Sequence, residues 1–225
     1  MKVRGVEMNS NQEKQLTLIE EFVTKEMSAD ASGHGMDHLN RVTKMINKIG
    51  PHEEADMFIS LAAGWLHDVI DDKLTNQPEQ QQMKVWSFLK LIGATNDQVQ
   101  AIKDIILNMS FSKSLSGSES ELSIEGQVVQ DADRLDAIGA LGIGRAFYYS
   151  GHVGEEMYDP SVEPRLNLTK EQYRNEPGTT INHFYEKLFL ITDRLNTDTA
   201  KQIGAKRQEI MQDFVNHFKQ EWNGD

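Results

Sequence analysis

Along the 225 residues no stretch of useful length alternates apolar with polar side chains, while apolar residues recur at intervals of three and four almost throughout. A sheet needs the first pattern and a helix the second, so the chain is restricted to an all-α fold. Leu16, Leu18, Ile19, Phe22, Val23 and Met27 form one stripe. Leu39, Val42, Ile46 and Ile49 form another, and Met57, Phe58, Leu61, Ala62, Trp65 and Leu66 a third. Helices are expected over 12–27, after an Asp37 N-cap to 49, over 54–70, 79–92 and 97–109, over 123–149 with a bend near Gly139, Gly142 and Gly144, and over 179–195 and 199–222. The serine-rich stretch 110–120 reads as a surface loop, and 150–178, with three prolines and three glycines, as a long ordered one. Trp65, Trp86 and the methionines fall at helical spacing and are expected in the core. No internal repeat is found, and the whole chain is expected to form one domain, residues 1–225, an irregular helical bundle.

Chemistry concentrates at the end of the third stripe. His67-Asp68 is followed by Asp71 and Asp72. On a continuing helix Asp71 lies one turn from His67 and Asp68, and Asp72 one turn from Asp68. An imidazole nitrogen among several carboxylate oxygens suits a borderline divalent ion such as manganese, iron, cobalt, nickel or zinc. The chain has no cysteine, which excludes thiolate metal sites and disulfides and fits a reducing compartment. Two further segments carry polar groups. His34-Gly35-Met36-Asp37-His38 runs into Arg41, placing His38 and Arg41 one helical turn apart. In Gln130-Asp131-Ala132-Asp133-Arg134-Leu135-Asp136 three acids interrupt a core-like helix, where carboxylates are costly unless paired or bound to a cation.

With these three segments in order, the chain resembles the HD-domain phosphohydrolase superfamily, whose ligands come as His, His-Asp and Asp on separate helices. Met109 to Ser112, Glu125 to Ala140, Met157 to Pro160 and Asn182 to Leu188 resemble in particular a bacterial subfamily of small, stand-alone members. The resemblance implies His38, His67, Asp68 and Asp133 as ligands, with Asp133 chosen over Asp131 for its Ala-Asp-Arg-Leu setting. It implies an irregular bundle with the metal held among central helices, and hydrolysis of a phosphorus–oxygen bond in a small nucleotide-like substrate. Pyrophosphate release from a (deoxy)nucleoside triphosphate is the sharpest version. A 5′-nucleotidase-type phosphomonoesterase and a metal-binding sensing module with vestigial activity are the alternatives. No histidine lies between His67 and His152, which favours one ion over two. Mn²⁺ is expected ahead of Co²⁺, Ni²⁺, Mg²⁺, Fe²⁺ and Zn²⁺. Asp72, with Asp71 as alternate, occupies the place of a paired catalytic acid in the alarmone-hydrolase branch. Gly35 follows His34 where many relatives carry an acid, a departure that bears on His34 and not on His38; His34 is expected to contact the substrate or a group behind the ligands.

The formal net charge of −12 argues against general nucleic-acid binding, and it would repel a polyanionic substrate unless local cations reverse the field. Arg41, Lys73 and Arg145 are the cations nearest the motifs and the expected phosphate contacts. No apolar run approaches the ~18–20 residues of a membrane span. Met1 to Glu7 has no signal-peptide core, so a cytoplasmic protein is expected. A His-Glu-x-x-His motif and a phosphate-binding P-loop are both missing, and the glycines of 139–144 follow no strand, so a dinucleotide loop is excluded.

Overall fold

Every residue of the helix Met57–Leu66 except Ile59 is buried. A helix that is apolar on all sides has no face to give to water and becomes the axis around which others pack. The computed structural model describes residues 8–27, 35–70, 77–109, 121–165 and 178–225. In chain order the helices are α1 (Ser10–Glu26), α2 (Met36–Ile49), α3 (Met57–Leu66), α4 (Pro78–Leu91), α5 (Asn96–Asn108), α6 (Ile124–Asp136), α7 (Gly139–Val153), α8 (Thr180–Glu186) and α9 (Asp198–Asn223), with short 3-10 turns at Gly50–His52, Leu188–Leu190 and Thr192–Arg194. No strand occurs among the described residues. Two compact units are present, Met1–Ala132 and Asp133–Asp225, and the division falls inside the single helix α6.

In the first unit α1, α2 and α5 pack on α3. The α2 stripe behaves as its spacing requires: Leu39, Val42, Ile46 and Ile49 are all fully buried. Burying each such side chain is worth about 1.5–3 kcal/mol. Gly64 allows α2 to come close, because a Cβ there would sit 2.3 Å from Ile46 Cδ1. Gln15 is buried in α1 and donates to the carbonyl of Ile92 at 3.1 Å, tying α1 to the end of α4. Thr95 opens α5 with a capping box completed by Gln98, and Gly93, at φ +87°, closes α4.

In the second unit α7 and α9 pack together, with α8 against α7. Their seam is aromatic: Phe147 meets Phe214 and Phe218, Phe214 meets Phe184, and Phe218 stacks on Trp222. Gly204 sits where a Cβ would be 2.4 Å from Leu195 Cδ1. Arg165 grips Glu186 with two side-chain hydrogen bonds of 2.9 Å and a backbone one of 3.0 Å.

Several expectations are corrected. Gly35, not Asp37, is the N-cap of α2, and Asp37 lies in its first turn, where its charge still favours the helix dipole. The third helix begins at Met57 because Asp56 caps it, accepting from Phe58 N at 2.9 Å and Ile59 N at 3.1 Å, and it stops at Leu66 rather than running to 70. The stretch 123–149 is two helices broken at Ala137 and Ile138, with Gly139 at φ +79°. The expected helix over 179–195 is the seven-residue α8 followed by two 3-10 turns. Met83 and Met157 are exposed and Trp86 is only partly buried, unlike Trp65. The serine-rich stretch 110–120 lies outside the described residues.

Candidate metal centre

His67 is the C-cap of α3, and its ring turns back on the helix that ends there. Its Nδ1 lies 2.8 Å from the carbonyl oxygen of Gly64. A helix continuing through this point would give that carbonyl to the amide of Asp68. Here the ring Nδ1 lies against it, and Val69 N closes a tighter turn on the Leu66 carbonyl at 3.2 Å. A carbonyl oxygen only accepts, so Nδ1 carries the proton, and in the neutral ring Nε2 carries a lone pair.

That Nε2 points into a cluster. Asp68 Oδ1 is 3.3 Å from His67 Nε2, and Asp68 Oδ2 is 3.5 Å from His38 Nε2. The two imidazoles meet edge to face with centroids 5.6 Å apart. One ligand atom from each of His38, His67 and Asp133 lies within 4.8 Å of the other two. Donors around one ion at about 2.0–2.2 Å stand roughly 3–4.4 Å from one another, so the group needs only a few tenths of an ångström to close. His38, His67 and Asp68 are buried, and Asp133 is partly so.

The chemistry of this donor set fits a divalent ion. An imidazole lone pair facing carboxylate oxygens in a buried setting is repulsive until a proton or a cation comes between them. Mixed nitrogen and oxygen donors without sulfur suit the borderline first-row metals. The Gly64 carbonyl behind His67 is the kind of outer partner that fixes tautomer and direction in a ring that binds metal.

The other residues singled out in the sequence fall as follows. Arg41 is on α2, one turn past His38, and partly buried. Arg145 reaches Asp136, Nη1 to Oδ2 at 3.6 Å, a pairing with a buried acid rather than an open guanidinium. Asp131 and Asp136, the rivals of Asp133, are buried as well, but the group containing both histidines includes Asp133. Arg134 donates to the carbonyl of Arg194. Burial pushes His183 down to about 4, assisted by Lys187 and opposed by Glu186. His34, Asp71, Asp72 and Lys73 lie outside the described residues. Gly64 was the partner that sequence reasoning missed. Its signal was a glycine three residues before a histidine that ends an apolar helix.

The chain is similar to several known proteins. The family model described as HD domain matches residues 35–138, a span that holds His38, His67, Asp68 and Asp133. YpgQ of Bacillus subtilis (strain 168) is 34% identical over 211 residues, 94% of this chain and 95% of that protein. The crystal structure of a protein from Lactobacillus plantarum is 52% identical, covers 95% of this chain and 99% of its own, and superposes with a TM-score of 0.80. That of an HD-superfamily hydrolase from Bacillus thuringiensis is 36% identical, covers 95% and 100%, and has a TM-score of 0.78. Bacillus subtilis YpgQ in complex with ADP is 33% identical, covers 94% and 96%, and has a TM-score of 0.74. None of the helices among the described residues is long and apolar enough to cross a membrane.

Proposed function

Since this chain belongs to the HD superfamily of metal-dependent phosphohydrolases, we propose that it hydrolyses a phosphorus–oxygen bond in a nucleotide, releasing pyrophosphate from a (deoxy)nucleoside triphosphate. The observation that carries the reading is the convergence of His38, His67 and Asp133 with Asp68 beside both histidines. The ADP held by YpgQ supports a nucleotide as the substrate class. Residues 1–225 are taken as one catalytic domain, because α6 runs unbroken through the division between the two units and Asp133 lies on it.

His38, His67, Asp68 and Asp133 would hold one divalent ion, Mn²⁺ ahead of the other borderline metals. Bound there, such an ion lowers the pKa of a coordinated water and draws charge from a phosphoryl oxygen. Gly64 keeps His67 in the tautomer that presents Nε2. Asp72, with Asp71 as its alternate, receives a proton from the attacking water. Arg41, Lys73 and Arg145 supply positive charge to the phosphates, and His34 contacts the substrate. Local cations are needed because the chain is strongly acidic and salt screens its field only beyond about 8–10 Å.

The test is a panel of nucleoside mono-, di- and triphosphates incubated with Mn²⁺, Mg²⁺, Co²⁺ or Ni²⁺, with phosphate and pyrophosphate measured separately. Pyrophosphate from triphosphates is the expected product. Orthophosphate from monophosphates would replace this reading with a phosphomonoesterase. Metal uptake with no release from any nucleotide would replace it with a sensing module.

A further inference from the structure

Asp133 sits in the last turn of α6. Helix ends fray because their final carbonyls have no donor within the helix. A ligand carried there needs something else to hold its turn. Arg207, from the middle of α9, donates through Nη1 to the carbonyl of Leu135. That carbonyl also accepts from Ile138 N at 3.3 Å, while Ala137 N closes on the Arg134 carbonyl at 3.2 Å. The stem of Arg207 reaches this point by passing over Gly139. A Cβ at Gly139 would lie 2.9 Å from Arg207 Cγ and 3.1 Å from its Cβ, and the backbone there is at φ +79°, which favours glycine on its own account. Asp136, one residue past the capped carbonyl, acts electrostatically on the same guanidinium. On the other side of the ligand, Arg134 donates to the carbonyl of Arg194.

We propose that Arg207 is a positioning residue for the metal site: by capping Leu135 across Gly139 it fixes the turn that aims Asp133. This rests on Asp133 being a metal ligand, as argued above. Partners standing behind ligands typically contribute about 10–100-fold to metal affinity, and a loss of that size is expected without the guanidinium.

The experiment is calorimetric titration of MnCl₂ alone into chelator-treated full-length protein, with the melting temperature of each apo form recorded. Arg207→Met is expected to bind about 10–100-fold more weakly. Arg207→Lys, which keeps a donor and a charge, is expected to recover part of the loss. Arg165→Met, which removes the guanidinium clamp on Glu186, serves as the stability control: it is expected to melt earlier yet bind Mn²⁺ like the wild type. Arg207→Met binding as tightly as wild type overturns the proposal, and so does Arg165→Met weakening binding to the same extent. Should Arg207→Met lose its helical circular dichroism, Gly139→Ala decides: weakened binding supports the proposal and unchanged binding overturns it. Wild-type protein that takes up no Mn²⁺ removes both this inference and the proposed function, whereas intact wild-type binding matched by Arg207→Met removes only the role of the arginine.

Discussion

Nδ1 of His67, at the end of α3, lies 2.8 Å from the Gly64 carbonyl, a contact that sets the tautomer of the ring and leaves Nε2 facing Asp68. Gly64 therefore serves two neighbours at once, since its missing side chain also admits Ile46 of α2. Gly64→Ala should push the two helices apart at an expected cost of about 1–3 kcal/mol. It should also weaken Mn²⁺ binding by shifting the carbonyl. Urea denaturation and metal titration of the same variant check the two effects, and unchanged binding would separate the carbonyl from the site.

Asp68 and Asp133 stand beside two histidines and are mostly shielded from solvent, an arrangement that is costly without a proton or cation between the groups. Asp68→Asn should lose Mn²⁺ uptake and yet raise the melting temperature of the apo protein. For a chain of this size each kcal/mol gained shifts the midpoint by about 2–4 °C. A melting temperature that falls in the apo state would mean that Asp68 has a structural role.

Asp72→Asn is expected to keep Mn²⁺ affinity and lose about 10²–10⁴-fold in kcat, the range for removing a general base. Asp71→Asn should cost less. Normal turnover in both variants would take these two acids out of the mechanism.

Arg41→Met and Lys73→Met should each raise KM for a triphosphate while leaving metal affinity unchanged. Arg145→Met should do the same and in addition lower stability, because it strips a partner from the buried Asp136 carboxylate. Steady-state kinetics beside thermal melts distinguish the two patterns. If KM stays constant in all three, the phosphate contacts lie elsewhere.

His183 titrates near 4 in the folded chain against 6.5 when unperturbed, because burial disfavours the imidazolium. Below pH 6.5 the unfolded chain takes up a proton that the folded chain refuses, so stability falls as pH drops from 6.5 toward 4 and levels off beneath that. The contribution is at most roughly 3 kcal/mol. Burial pushes Glu186 up, but the hydrogen bonds and charge of Arg165 hold it below the usual carboxylate range, so the stability it contributes is present above that range and is lost as pH falls through it. Urea melts at pH 7 and pH 5 should show the fall in wild type and a smaller one in His183→Gln. Equal falls in both would assign the effect to other groups.

The sequence alone determined the helical class and most of the core. Leu39, Val42, Ile46 and Ile49 repeat at a period that only a helix can turn to one side, and all four are buried. The expected helices 79–92 and 97–109 end close to where the structure ends them, because Gly93 and the Thr95–Gln98 capping box set those ends by backbone freedom and local hydrogen bonding. The family resemblance then singled out His38, His67, Asp68 and Asp133 from the order of their motifs. Tertiary structure decided the rest. Periodicity continues the third helix past Leu66, because it does not register a histidine ring competing for a carbonyl. It cannot tell Asp133 from Asp131 or Asp136 either, since all three acids lie within two turns and only their direction differs. Nor can it join Arg207 to Leu135 across Gly139, because that contact is made between residues 72 positions apart in the chain. Local chemistry writes helices and caps into neighbouring residues, whereas a contact such as Arg207 to the Leu135 carbonyl joins groups that meet only after the chain has folded.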